Sequence, residues 1–245
     1  MNLLNCPKVS IVTVTYNAAQ LIRETLESVI GQTYPNIEYI MIDGDSKDNT
    51  RDIIREYQGH ISTFISAPDN GTYDAMNKAI DIASGEWIHF MNAGDYYVGR
   101  TTLSDIFGSP VPADVDFIYG DYIWKGDRNE VRVPARPLEL MWQRISFSHQ
   151  SLLARTPLMK EKKFDLRWKI VSDYNFYFSC YMEGCKFFQV NYPISVFRAG
   201  GLSDVNFLLR TYERWKVVKR YKKGIRVDLY YLRLIASHYT NKLSQ

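Results

Sequence analysis

The stretch VSIVTVT (Val9–Thr15) is a run of mostly β-branched residues, and it predicts a buried strand. Asn17 follows as a candidate helix N-cap. Beyond it Leu21, Ile22, Thr25, Leu26, Val29 and Ile30 recur at helical spacing. Pro35 and Asn36 break the chain; residues 37–42 predict a second strand and 43–49 a polar loop. A short helix over 50–57 and a third strand over 61–66 come next, then a turn at 68–71. Residues 73–83 predict a helix with Ala75, Met76, Ala79, Ile80 and Ala83 inward and Gly85 as its closing glycine, before a fourth strand over 86–91. This alternation predicts βαβ units, hence an α/β fold with a Rossmann-like, mostly parallel sheet and helices on both faces.

The pattern loosens in the second half. Short strands are expected over 117–125 and 131–133 around a turn at 126–129, with a connector over 134–137. Residues 168–197 hold ten aromatics, enough for a core, a platform for a sugar ring, or both. In the tail, residues 207–233 carry nine basic side chains against two acidic ones. That is a net of +7, so the rest of a chain whose total is +3 carries −4. Leu208, Tyr212, Trp215 and Val218 fall at helical steps, which predicts a basic amphipathic helix. Such a helix suits an anionic membrane surface or a solvated cap on the domain.

With 46% apolar and 23% charged residues in 245, the composition excludes collagen-like and disordered classes, and the length allows a sizeable core. Three cysteines, Cys6, Cys180 and Cys185, are too few for a disulfide scaffold. The first ten residues have neither a basic nor an apolar signal region, and no stretch reaches the roughly 18 apolar residues of a spanning helix. These features predict a cytoplasmic protein, with peripheral attachment to the inner face of the plasma membrane as the variant the tail suggests.

In an open parallel sheet the ligand sits beyond the carboxyl ends of the strands. There the four predicted strands release Thr15-Tyr16-Asn17, Asp43-Gly44-Asp45-Ser46, Asp69-Asn70-Gly71 and Asn92-Ala93-Gly94-Asp95. Any one Asp at such a place is commonly a turn residue; four in series predict a carboxylate-bearing crevice. With no Lys or Arg cluster in these loops, it suits ribose hydroxyls, a base N–H or a divalent cation rather than a bare phosphate. GxGxxG, GxxxxGK[ST] and GxSxG are absent, which argues against a dinucleotide dehydrogenase, a P-loop NTPase and a serine hydrolase.

VSIVTVTYN, IDGDSKDNT, DNGTYDAMNKAI and GEWIHFMNAGD, in this order, resemble the family 2 glycosyltransferases of GT-A fold, above all bacterial members that build exopolysaccharide, O-antigen or colanic acid units. Weaker likeness continues through Ser148-His149-Gln150-Ser151, Phe164-Asp165, Ser172-Asp173-Tyr174 and Gly200-Gly201-Leu202-Ser203. The resemblance implies a GT-A domain over 1–203, with a nucleotide-sugar half (1–100), an acceptor half (101–203) and a tail over 204–245. It implies inverting transfer from a nucleoside-diphosphate sugar to a saccharide hydroxyl, the acceptor being polyprenyl-diphosphate-linked. The rival is a catalytically inactive nucleotide-sugar-binding protein of the same fold.

Carried over position by position, the resemblance puts Thr15, Tyr16, Asn17, Asp43, Asp45, Asp69, Asn70, Asn77 and Asn92 around the nucleotide sugar. It makes Asp95 the ligand of a divalent cation (Mg²⁺ or Mn²⁺) and Asp173 the catalytic base. His149, Gln150, Trp168 and Ser203 are candidates for contact with acceptor or diphosphate, and His149 equally for a core histidine. Two positions depart from the family pattern: a single carboxylate stands in the metal motif, and Ser172 precedes Asp173 where Glu is common. Burial among Trp168, Tyr174, Phe176 and Tyr177 is expected to raise the Asp173 pKa toward that of a useful base.

Overall fold

The run VSIVTVT forms β1 (Val9–Thr15), every residue of which is buried in the computed structural model. The structure describes residues 6–108, 110–200 and 206–243. β1 lies in parallel between β2 (Ile37–Asp43) and β4 (Trp87–Phe90), with β3 (Thr63–Ser66) beyond β2. The strands are apolar throughout because both faces are covered. Val12 and Val14 join Ile40 and Ile42 under α3 (Thr72–Ile82); Ile11 joins Tyr39 and Met41 against α1 (Ile22–Ile30). The strand period of two thus divides one sheet between two cores. Between β2 and β3 runs the short α2 (Thr50–Glu56).

The second half differs from a mostly parallel sheet. β8 (Leu152–Arg155) pairs antiparallel with β4 and with β6 (Phe117–Lys125); β6 pairs antiparallel with β7 (Glu130–Val133) and parallel with β9 (Phe187–Arg198). The two-residue β5 (Tyr96–Tyr97) pairs antiparallel with β9. The described ladders are therefore mixed. The tight connection from β6 to β7 can only return antiparallel, whereas β6 reaches its parallel partner β9 through α5 (Thr156–Lys162) and α6 (Ser172–Met182). The helix α4 (Thr102–Gly108) joins the α1 side of the sheet, where Leu103 and Ile106 are buried.

Two local expectations are corrected. Asn17 does not cap α1; it adopts a left-handed conformation (φ 48°) and its Oδ1 accepts from Lys47 N at 2.8 Å, so it ties the first loop to the second. Gly85 does not close α3, whose last turn ends at Ala83. A Cβ at Gly85 would sit 2.6 Å from Ser10 N and 2.8 Å from Lys8 O, so glycine is there to let β1 pass. The aromatic-rich segment is mainly core: Tyr174, Phe176, Tyr177 and Phe178 of α6 are buried, and Phe117 stacks on Phe187 at 4.4 Å and meets Tyr177 edge-on at 5.9 Å.

The tail forms two helices, α7 (Phe207–Tyr221) and α8 (Ile225–Leu243), with Gly224 (φ +136°) between them. Val217, Val218, Val227 and Tyr231 are buried in the same core as α3 and α6, and Trp215 Nε1 donates to Asp228 at 2.8 Å. Glu213, 6% exposed, accepts from the backbone N–H groups of Lys169, Ile170 and Val171 at 3.0–3.3 Å, which anchors the segment leading into α6 to α7.

Candidate active site

The loops after β1, β2 and β3 form one open edge. Asp43, fully buried at the end of β2, accepts from Ser46 N (3.0 Å), Ser46 Oγ (2.5 Å) and Ser66 Oγ (2.6 Å). It organises the loop from beneath. Asn17 N in turn donates to Ser46 Oγ at 2.8 Å. Tyr16 is 62% exposed, Asn17 is exposed and Thr15 Oγ1 is buried without a partner. Asp45, in a left-handed turn, pairs with Lys47 and with Arg51 at 3.3 Å, which hold its carboxyl below the usual range. Asp69 packs on Gly44, where a Cβ would lie 2.7 Å from its Oδ2 and 3.3 Å from Tyr16. Tyr16, Gly44 and Asp69 thus share one surface. Asn70 is exposed and its backbone N donates to Asp74 at 2.9 Å.

Asn77 does not reach this edge. Both ends of its amide are bound to Phe164, Nδ2 to the carbonyl and Oδ1 to the N–H, each at 2.9 Å. Trp168 is also displaced from its expected role: it faces a small hollow with Arg167, Lys216 and Arg220, away from the main cavity. Ser203 lies outside the described residues.

The main cavity, about 930 Å³, brings Asn92, Asp95, His149, Gln150 and Asp173 together with Tyr73. Asp95 is 7% exposed. Its Oδ2 accepts from Gln150 Nε2 at 2.6 Å and its Oδ1 from Arg198 N at 3.1 Å. Burial pushes its carboxyl up to about 6, against the lowering effect of those contacts and of His149. Beneath Gln150 lies a buried histidine. His89 Nε2 donates to the Gln150 carbonyl at 2.9 Å, so Nδ1 accepts from Tyr97 OH at 2.7 Å. Burial depresses the His89 pKa to about 4.

Asp173 opens α6. Its Oδ1 accepts from Tyr174 N and from Tyr73 OH, both at 2.8 Å; its Oδ2 lies 3.2 Å from His149 Nδ1. The Tyr73 phenol is held well above its ordinary value by burial and by Asp173. The expectation for Asp173 itself is reversed. Burial does push its pKa up, but the hydrogen bond and charge of His149, with Tyr73 and the Tyr174 N–H, outweigh it and leave the carboxyl lowered. On its far side His149 Nε2 lies 3.1 Å from Asn92 Nδ2, which joins Asp173 to the turn carrying Asp95.

A cation at Asp95 can be tested against this geometry. No cluster of three or more His, Cys, Asp or Glu suited to a metal occurs among the described residues. Asp95 does face the cavity, and Asn92 Oδ1, in the same turn, is buried with no partner. One carboxylate and one orphaned amide oxygen fit a hard cation that takes most of its shell from water and substrate phosphate.

Sequence reasoning missed Tyr73, Glu213 and a set of cations. Arg136, Arg144, Lys169, Arg198, Arg210 and Arg214 line the cavity, where the carboxylates among the described residues are Asp95 and Asp173. Arg136, Arg144, Lys169 and Arg198 come from separate segments of the second half, so no local motif announces them; Arg210 and Arg214 belong to the basic tail that the sequence marks, without its marking their place at the cavity.

The model of glycosyl transferase family 2 matches residues 10–159. The chain belongs to that family. A "PGL/p-HBAD biosynthesis glycosyltransferase" of Mycobacterium tuberculosis (strain ATCC 25177 / H37Ra) is 29% identical over 182 residues, 71% of this chain and 70% of the relative. The Escherichia coli "UDP-Glc:alpha-D-GlcNAc-diphosphoundecaprenol beta-1,3-glucosyltransferase WfaP" is 37% identical over 122 residues, 49% of this chain and 47% of that protein. Among solved structures, the mannosyltransferase PcManGT from Pyrobaculum calidifontis, in complex with GDP-Man and Mn²⁺, superposes with a TM-score of 0.70 at 17% identity, over 92% of this chain and 68% of that one. The family 2 chain thus has the GT-A fold, with relatives in the synthesis of bacterial surface polysaccharides.

Proposed function

We propose that this glycosyltransferase moves a sugar, with inversion, from a nucleoside diphosphate to a hydroxyl of a lipid-linked saccharide. The observation that carries this reading is Asp173: a carboxylate at the cavity wall, with Oδ1 engaged twice and Oδ2 once. Oδ2 keeps a lone pair for a proton. Thr15, Tyr16, Asn17, Asp45, Asp69 and Asn70 line the open edge and would receive base and ribose, with Asp43 supporting the second loop from inside.

In the step, the acceptor oxygen bonds to the anomeric carbon as the bond from that carbon to the diphosphate oxygen breaks. The acceptor proton passes to Asp173 Oδ2, and the electron pair leaves with the diphosphate. His149 and Tyr73 fix the carboxylate, and Gln150 and Arg198 fix the Asp95 side chain. A Mg²⁺ or Mn²⁺ held by Asp95 and Asn92 would neutralise charge on the leaving diphosphate.

The tail supports attachment to an anionic bilayer. Besides its positive charge, α8 leaves Ile225, Leu229 and Leu232 at least half exposed, and no described helix is long and apolar enough to cross a membrane. In this reading residues 1–100 serve the donor, 101–203 the acceptor and 204–245 the surface, on the inner face of the plasma membrane.

The test is a panel of uridine, guanosine and thymidine diphosphates with Mn²⁺, read by thermal shift, followed by transfer assays with Asp173→Asn. One nucleotide should stabilise the protein. The variant should bind it equally yet lose about 10²–10⁴ in turnover. Normal turnover in the variant would remove Asp173 as base; absence of binding by every nucleotide would remove the transferase reading.

A further inference from the structure

Residues 134–148, between β7 and β8, pair with no strand of the sheet, yet they make one wall of the main cavity. The root of this segment is fixed by Asp121 of β6, 4% exposed, which accepts from Arg132 Nε and Ala135 N, both at 2.8 Å. Its neck closes where Arg136 N donates to Ser146 O at 2.8 Å. Beyond the neck lies a compact loop with one turn of 3-10 helix, Leu138–Leu140. Met141, Gln143, Arg144 and Ile145 of that loop line the cavity.

A loop without a ladder takes its place from whatever holds its polar groups. Here tyrosine hydroxyls hold successive carbonyls. Tyr174 OH donates to Met141 O at 2.9 Å, Tyr231 OH to Trp142 O at 2.8 Å and Tyr230 OH to Gln143 O at 2.9 Å. Tyr174 is the residue after Asp173. Tyr230 and Tyr231 belong to α8, 87 and 89 residues along the chain from the carbonyls they hold. Their rings are packed as well. Tyr231, 1% exposed, stacks on Trp215 with ring centres 6.2 Å apart, and Tyr230 meets Trp142 edge-on at 5.5 Å.

In the proposed mechanism the acceptor hydroxyl meets Asp173, so the wall beside Asp173 is where the acceptor docks. The base and ribose of the donor belong to the other edge, at Tyr16 and Asp69. Resting on that reading, we infer that Tyr230 and Tyr231 are positioning residues for the acceptor. Their hydroxyls set the place of the wall at 141–145, so the tail is a working part of the acceptor site. It acts on acceptor binding rather than on donor binding or the transfer step. Without those donors the carbonyls lose their partners, and the loop gives up its fixed place.

The experiment uses the full chain carrying Tyr230→Phe, Tyr231→Phe or both. Phenylalanine keeps each ring and removes only the hydroxyl, so the fold should persist. Tyr239→Phe, at an exposed position of the same helix, is the control. Affinity is measured for the nucleoside diphosphate that binds in the panel above, and transfer is measured to octyl glycosides as probe acceptors. Amide hydrogen exchange is followed over 138–147, where the N–H groups of Leu140, Met141, Gln143 and Arg144 are hydrogen-bonded and have protection to lose. In the double variant these amides should exchange about tenfold faster or more, and the acceptor KM should rise about fivefold or more. Nucleotide affinity and kcat should stay within about twofold, and Tyr239→Phe should match the wild type. Unchanged exchange would overturn the inference. So would faster exchange with an unchanged acceptor KM, or a loss confined to kcat or nucleotide affinity. Failure of every nucleotide to bind the wild type would fell the transferase reading instead; faster exchange in the variants would then leave the hydroxyl clamp standing.

Discussion

His149 Nδ1 stands 3.2 Å from Asp173 Oδ2, and this contact helps hold the Asp173 carboxyl below its ordinary range. Removing the imidazole leaves the burial of Asp173 unopposed by its strongest partner, so its pKa rises. The acid limb of the kcat/KM profile should move to higher pH in His149→Gln. A pH–rate series on both proteins checks this. Superimposed profiles would show that His149 does not set the charge of Asp173.

At the other end of the same network, Asp95→Asn keeps a hydrogen-bond acceptor but removes the charge. The Mn²⁺-dependent part of nucleoside diphosphate binding should disappear, and turnover should fall at least about 100-fold. Thermal shifts with and without chelator read the first effect. A wild-type protein indifferent to chelator in both binding and turnover would mean that Asp95 serves only to hold the Arg198 strand end.

His89 gives a stability prediction. Its neutral ring is buried and its pKa depressed to about 4, against 6.5 when free. The unfolded chain therefore binds a proton that the folded chain refuses. Stability is full above pH 6.5 and declines as the pH falls toward 4, by at most about 3 kcal/mol. Denaturant unfolding at several pH values should show this slope in the wild type. His89→Phe, though less stable throughout, should have a shallower slope.

At Gly85 a methyl group would collide with backbone atoms of Ser10 and Lys8 as well as with the Ser10 hydroxyl. Gly85→Ala should destabilise the protein by about 1–3 kcal/mol, measured as a lowered unfolding midpoint. A neutral effect would mean that β1 can shift at no cost.

The apolar face of α8 is tested by a triple change, Ile225→Ser, Leu229→Ser and Leu232→Ser, at side chains 72%, 58% and 50% exposed. Co-sedimentation with anionic vesicles should drop, while the unfolding midpoint stays unchanged. Equal pelleting of variant and wild type would place the membrane contact elsewhere or nowhere.

How legible these features are in the sequence follows from how local their causes are. The strands β1, β2 and β4 and the helices α1 and α3 bury continuous or evenly spaced apolar sets, and their places can be read from the pattern alone. The turn of β6 into β7 is equally local. The small β5 and the strand β8 are short segments whose pairing depends on neighbours far along the chain, and the pattern does not mark them. At the site, Asp95 and Asp173 are marked by their motifs, but their surroundings are not. The reversal of the Asp173 shift comes from His149 and Tyr73, 24 and 100 residues away. Asn77 lies inside a motif and still turns to Phe164, because a buried amide must satisfy both its ends.

The three backbone N–H groups that Glu213 holds belong to the segment leading into Asp173. Cutting the chain before α7 would thus remove more than a basic appendage: it would strip the support from the segment that holds Asp173. A shortened enzyme made for solubility would lose activity for a reason unrelated to lipid. Tags and fusions at the carboxyl end are safe only if they leave α7 seated, so the length of an expression clone becomes a variable of the catalytic assay.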